Sequence, residues 1–162
     1  MAEIHPRVRE HLESSGVAHH VHDHAALPVP ITSPADFAAA LGYPLGRIMK
    51  TLICRARSSG DLVAVVCPMD ARVDFRATAA ELGCGRIESA DAAELESATG
   101  YQQRGVSPLG LDDRIRIAIA RQALDHPTVL VGGGEPGVEI EIAPGDLIRI
   151  TGGHPIDFSR SD

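Results

Sequence analysis

Apolar and polar positions along this chain follow two periods, and the changes between them mark out the elements. Residues 5–15 carry a helical spacing, with Pro6 early and Gly16 as a stop. Residues 17–24, VAHHVHDH, alternate like a strand. A second helix is predicted over 33–41: Ser33 can cap it, Pro34 fits its first position, Asp36 suits its positive end, and Gly42 ends it. Two apolar runs, 47–57 and 62–68, flank SSGD and read as a hairpin. Asp74 caps a helix running to Leu82; 85–89 reads as a short strand and 91–98 as a short helix. Residues 99–113 form a loop with three Gly and a Pro. Strands follow at 114–120, 128–134 and 137–142, then a last helix near 144–151 opened by Pro144. Helices and strands mix without a strict βαβ rhythm, and neither a repeat nor a linker is visible. The expectation is an α+β fold: a single domain over residues 1–162, with a mixed, curved β-sheet surrounded by helices.

Composition refines this. Aromatic residues make up only 3% and Trp is absent, so the core must come from Ala, Val, Leu and Ile. A net charge of −7 argues against a protein that coats nucleic acid. The charge is uneven: residues 1–46 carry net −3 and 122–162 net −5, whereas 47–121 carry net +1. An anionic substrate would therefore meet the middle third. No run is apolar enough for a membrane span, and the start lacks a basic segment followed by an apolar one. Cys54, Cys67 and Cys84 are odd in number and lack CxxC spacing, which suits reduced thiols in a cytoplasmic protein.

Fourteen of the fifteen basic residues are Arg; the exception, Lys50, sits in the apolar run RIMKTLIC. On a strand, Ile48, Lys50, Leu52 and Cys54 share one face, and Met49, Thr51, Ile53 and Arg55 the other. Both faces are largely apolar, as in a central strand covered on both sides. A buried ammonium must lose its proton or find an anion, so Lys50 is a candidate for binding a phosphate or carboxylate, or for catalysis. The spacing leaves open a plainer role, in which Lys50 snorkels to water or pairs with an internal Asp. A second candidate feature is the long loop. In RGVSPLG, Gly105 and Gly110 permit close backbone approach and Pro108 stiffens the middle, so the loop can offer backbone N–H groups to an anion. GGG at 132–134 is another place where backbone can approach a ligand, or simply a bulge and turn.

KTL at 50–52, VDFRATAAELG at 73–83, TGY at 99–101, GVSPLG at 105–110, VGGG at 131–134 and EIAPGDLIRI at 141–150 occur in that order. Together they resemble the YbaK-type domain, related to the editing insertion of bacterial prolyl-tRNA synthetase, over about residues 17–158. The resemblance implies a freestanding deacylase. Its substrate would be mischarged aminoacyl-tRNA, with tRNA(Pro) bearing Cys, Ala or Ser as the leading case, and prolyl-tRNA synthetase would be a candidate partner. It implies no cofactor and no metal. Lys50 matches the family lysine thought to hold the terminal adenosine and its phosphate. Gly105, Ser107, Pro108 and Gly110 match the GxxPxG loop, thought to frame the aminoacyl pocket and polarise the ester carbonyl through backbone amides. The same resemblance implies substrate-binding positions at His24, Thr99, Gly100, Tyr101, Val106, Leu109, Gly133 and Asp146. Two departures concern specificity: His24 stands where some relatives carry Tyr, and Ala120 where relatives carry Asp.

Two rivals come from the residues themselves. His20, His22 and His24 fall on one strand face at a spacing that can bind a divalent metal, which would suit a metal-dependent hydrolase. No second cluster completes such a ligand set. The other rival is a non-catalytic module that recognises tRNA ends or docks on a synthetase. Arg47, Arg76, Arg86 and Arg104 are further candidates for gripping the acceptor end.

Overall fold

Helix ends fall where local signals put them. The structure, a computed structural model, describes residues 3–157. Helix α1 (Pro6–Ser15) starts at His5, whose Nδ1 accepts the Arg7 amide. Ser33, Asp74 and Asp91 each accept an amide three residues on, opening α2 (Pro34–Leu41), α3 (Phe75–Leu82) and α4 (Ala92–Thr99). Helix α5 (Pro144–Thr151) has Pro at its start. All five α-helices of the described residues end on a left-handed Gly, where any side chain would be strained. No helix of the described residues is long and apolar enough to cross a membrane.

The strands are β1 (His19–Asp23), β2 (Met49–Ala56), β3 (Leu62–Pro68), β4 (Ile87–Ser89), β5 (Arg116–Ala120), β6 (Val129–Gly132), β7 (Val138–Ile142) and β8 (His154–Ile156). A five-stranded sheet has the order β4-β2-β3-β5-β8, antiparallel from β4 to β3 and parallel beyond it. A three-stranded antiparallel sheet has the order β1-β7-β6. A parallel bridge between Ile48 and Leu130 joins the two. The expected α+β fold with a mixed sheet is therefore present, divided into two bridged parts. Strand β8 was not expected: it is three residues long with Pro155 in its middle, a composition that reads as loop and is tolerated at an edge.

The apolar residues fill three clusters. The largest lies between the sheets and includes Met49, Ile53, Val66, Ile119, Val131 and Ile140. A second packs α3 on the other face of the five-stranded sheet through Cys54, Cys67, Ala79 and Leu82. The smallest sets Phe37 of α2 on Ile48 and Leu130.

One detail of this topology creates the site. β4 pairs with β2 only at Cys54–Ala56, so Met49–Ile53 forms an open edge below it, between β4 and the Ile48–Leu130 bridge. Strand alternation turns the backbone groups of Met49, Thr51 and Ile53 toward that edge. The Ile53 carbonyl is taken by the Ala90 amide at 2.9 Å. Strand β2, expected to be a central strand covered on both faces, is paired along both edges only in its second half; the half that carries Lys50 is open on one edge.

Candidate active site

The open edge borders a cavity of about 1020 Å³. Its floor is Met49 to Ile53; its walls are the turn at His24, the loop at Gln103–Val106, Gly132, and the start of β7 up to Glu139. Lys50 is half-buried on this floor. Its Nζ donates to the Ala71 carbonyl at 3.4 Å, and no carboxylate among the described residues lies within ion-pair distance. Across the ladder it faces Cys67, whose thiol is pushed up to about 11 by burial, against a smaller downward pull from Lys50. The ammonium therefore sits in a partly dry hollow with one weak neutral partner, a place where an incoming anion gains more than it would in water.

Beside it, Thr51 is only 6% exposed, and its Oγ1 is buried with no hydrogen-bond partner among the described residues. An unsatisfied buried hydroxyl costs about 1–3 kcal/mol. Thr51 lines the cavity, so a polar group entering there can supply the missing partner. Sequence reading placed Thr51 in a motif but gave no reason to single it out; the missing bond appears only in three dimensions.

Of the residues singled out from the sequence, Lys50, His24, Arg104 and Val106 meet at this cavity. Most of the residues matched to the loop and to α4 pack behind it. Gly105 lies against the backbone of Glu135, leaving no space for a side chain. Ser107 is fully buried and its Oγ accepts the Leu109 amide at 3.1 Å, so it is not presented as a nucleophile. Pro108 and Leu109 are buried, and the Leu109 carbonyl accepts the Tyr101 hydroxyl. Gly110, at φ +73°, gives its amide to His11 Nδ1 and is hemmed in by Tyr101 and Arg7. Thr99 accepts the Tyr101 amide, Gly100 ends α4, and burial pushes the Tyr101 hydroxyl well above its ordinary range. Gly133 exchanges backbone bonds with His5 and Val138. Asp146, in the first turn of α5, pairs with Arg149 at 3.2 Å outside the cavity lining. Ala120 is core.

This support fixes which amides remain. Gly105, Leu109 and Gly110 spend theirs within the loop or on His11. Among the described residues, no acceptor takes the N–H of Val106 or Ser107. Gly132 packs so tightly on the Val106 carbonyl that even a methyl group would clash. The loop is thus held against β6 with two adjacent amides uncommitted.

The histidines sort into separate bonds. His22 Nε2 lies 2.7 Å from Glu141, and His24 Nε2 lies 2.6 Å from Glu139; both rings pack on Phe37. No group of three His, Cys, Asp or Glu among the described residues is arranged to hold a metal. Arg47, a candidate for gripping tRNA, is already engaged: it stacks on Tyr43 and donates to Thr128 and Glu141. Arg76, Arg86 and Arg104 are exposed, and Arg104 lines the cavity. A second hollow of about 1020 Å³ is lined by Ala71, Arg72 and Arg76, and Ala71 is the residue whose carbonyl accepts from Lys50 Nζ. Burial pushes Cys54 up to about 12, so neither strand thiol is poised to react.

Comparison with known proteins places this geometry in a family. The model of the aminoacyl-tRNA editing domain matches residues 29–150. A protein of Enterococcus faecalis, provisionally named Cys-tRNA(Pro)/Cys-tRNA(Cys) deacylase EbsC, is 32% identical over 130 residues, covering 80% of this chain and 79% of the relative. The solved structure of the hypothetical protein APE2540 is 30% identical, with a TM-score of 0.83 over 95% of this chain and 99% of that one. A solved structure described as a trans-editing enzyme for prolyl tRNA synthetase superposes with a TM-score of 0.85 over 98% and 100% of the two chains, at 24% identity.

Proposed function

The chain belongs to the aminoacyl-tRNA editing family, and from that premise we propose that it is a freestanding deacylase of mischarged tRNA, with tRNA(Pro) carrying Cys, Ala or Ser as its substrate. The observation that carries this reading is the pairing, around one cavity, of an ammonium with no carboxylate partner among the described residues and a buttressed loop that lines the cavity through Val106, whose amide is uncommitted among those residues. In this reading Lys50 binds a phosphate near the terminal adenosine. The amide of Val106 donates to the carbonyl oxygen of the ester as negative charge develops on it. Water attacks the carbonyl carbon, the bond to the ribose oxygen breaks, and that oxygen takes a proton as the amino acid leaves.

An aminoacyl ester is already activated, so positioning and electrostatic stabilisation suffice. The buried hydroxyl of Ser107 and the raised thiols of Cys54 and Cys67 fit a mechanism without a covalent intermediate. Thr51 completes its missing hydrogen bond on the bound substrate. Arg104 at the cavity, and Arg72 and Arg76 beyond Ala71, supply cations for the acceptor strand. With a net charge of −7 the isolated protein binds tRNA weakly and in a salt-sensitive way, and prolyl-tRNA synthetase is the proposed source of further affinity.

A panel of Ala-, Ser- and Cys-charged tRNA(Pro) tests the proposal. Hydrolysis of at least one, lost in Lys50→Ala, is expected. Tight tRNA binding without hydrolysis of any would instead mark a recognition module and overturn it.

A further inference from the structure

The cavity is electrically two-sided. Lys50 lies on the floor, and on the β7 wall stands a carboxylate–imidazole pair that the reaction above does not use: Glu139 and His24. Neighbouring strands create it. His22 faces Glu139 across the β1–β7 ladder, and the chain then turns at His24, whose amide donates to Gly137. That turn swings the His24 ring onto Phe37, with centroids 4.5 Å apart, and lays its Nε2 2.6 Å from Glu139 Oε2.

The bond sets the chemistry left for a ligand. An ionised carboxylate only accepts, so the proton between the two sits on Nε2. Nδ1 of His24 has no hydrogen-bond partner among the described residues. Oε1 of Glu139 likewise has no partner among the described residues, although the side chain is only 15% exposed. A carboxylate with one oxygen unpartnered among the described residues, and an imidazole bonded to its other oxygen, therefore line the hollow on a largely buried wall. Asp23, also on this wall, caps the turn through the Ala25 amide.

Such a wall takes a compact cation with several N–H donors. We infer that Glu139 and His24 form a subsite for the α-ammonium group of the aminoacyl moiety, so that the cavity reads its substrate by two opposite charges, phosphate toward Lys50 and ammonium toward Glu139. This deepens the deacylase reading and rests on it. A charge-assisted hydrogen bond of this kind is worth roughly a tenfold to hundredfold preference. His24 and Glu139 act here as positioning residues; neither takes the proton of the attacking water.

The test compares each of Ala-, Ser- and Cys-tRNA(Pro) with the matching α-hydroxy acid ester, which is nearly isosteric but lacks the cation. Each enzymatic rate is divided by the spontaneous hydrolysis rate of the same ester, which removes the intrinsic activation by the ammonium. The wild type is expected to prefer the amino ester by roughly tenfold or more in kcat/KM, chiefly through KM. Glu139→Gln is expected to bring that ratio close to one, and His24→Asn to reduce it part of the way. The wild-type comparison stands even if a variant folds poorly. Equal corrected rates for both esters would overturn the ammonium subsite while leaving the deacylase reading intact. So would a His24→Asn variant that loses kcat equally on both, since that is the behaviour of a proton acceptor. Failure of the wild type to cleave any ester of either kind would sink the deacylase reading and the subsite with it.

Discussion

Lys50 Nζ lies 3.4 Å from the Ala71 carbonyl oxygen, and no carboxylate among the described residues comes within ion-pair distance of it. A lysine so placed contributes little to the fold and much to any anion that arrives. Lys50→Met should therefore lower kcat/KM for the mischarged tRNA by about a hundredfold, corresponding to about 3 kcal/mol of lost charge-assisted binding. The folding free energy should move by no more than about 0.5 kcal/mol. Steady-state deacylation alongside urea unfolding measures both; a large loss of stability would mean that Lys50 is structural.

Thr51 gives the opposite signature. Its Oγ1 has no hydrogen-bond partner among the described residues, so Thr51→Val keeps the shape and removes an unsatisfied polar group. The variant should be more stable by about 1 kcal/mol, a rise in Tm of roughly 2–4 °C for a chain of this size. It should also be slower by about tenfold, because the hydroxyl's partner arrives with the substrate. A variant less stable than wild type would show that the hydroxyl already has a partner.

Glu141 anchors β7 to its neighbours by accepting from Thr128, Tyr43 and the Nε2 of His22, with Arg47 at 3.5 Å. Burial works to raise its carboxyl, and the hydrogen bonds from Thr128, His22 and Tyr43 outweigh it, leaving the value below the ordinary 4.5. A carboxyl depressed in the folded state stabilises above its unfolded value, and that stability is lost as pH falls through the folded value. Glu141→Gln should cost about 3 kcal/mol near pH 7. Melting curves from pH 7 downward should show the gap between variant and wild type closing below 4.5. A gap independent of pH would remove the ionised carboxylate from the account.

The thiols offer a check on mechanism. Burial holds Cys54 at about 12 and Cys67 at about 11, whereas Cys84 is partly exposed. Alkylation of the native protein near pH 8 should modify Cys84 and leave the other two until denaturant is added. Deacylation should survive that modification. Inactivation that tracks labelling of Cys54 or Cys67 would point to a covalent thioester and contradict the proposed reaction.

Much of the architecture was legible because local rules govern it. Ser33, Asp74 and Asp91 cap helices within a few residues of themselves, and the hairpin around SSGD needs no distant partner. The same local reading gave Lys50 a half-dry position on a strand, and the order of the motifs pointed to the family that the matched domain defines. It could not find β8, whose pairing with β5 depends on a neighbour more than thirty residues away. It also took Arg47 for a free cation, because Tyr43, Thr128 and Glu141 are brought around it only by the joining of two sheets.

The site divides along the same line. The chain by itself determined which chemistry is on hand: one ammonium in an apolar strand, a Gly/Pro loop, and histidines at every second position near its start. Tertiary structure alone decided how these are spent. It stopped β4 short of Lys50 and so opened an edge, used most of the loop's polar groups for its own support, and paired His24 with Glu139 from 115 positions away. The physical reason is that a side chain's type is written locally, whereas whether its hydrogen bonds and charge are already satisfied depends on whatever the fold packs beside it.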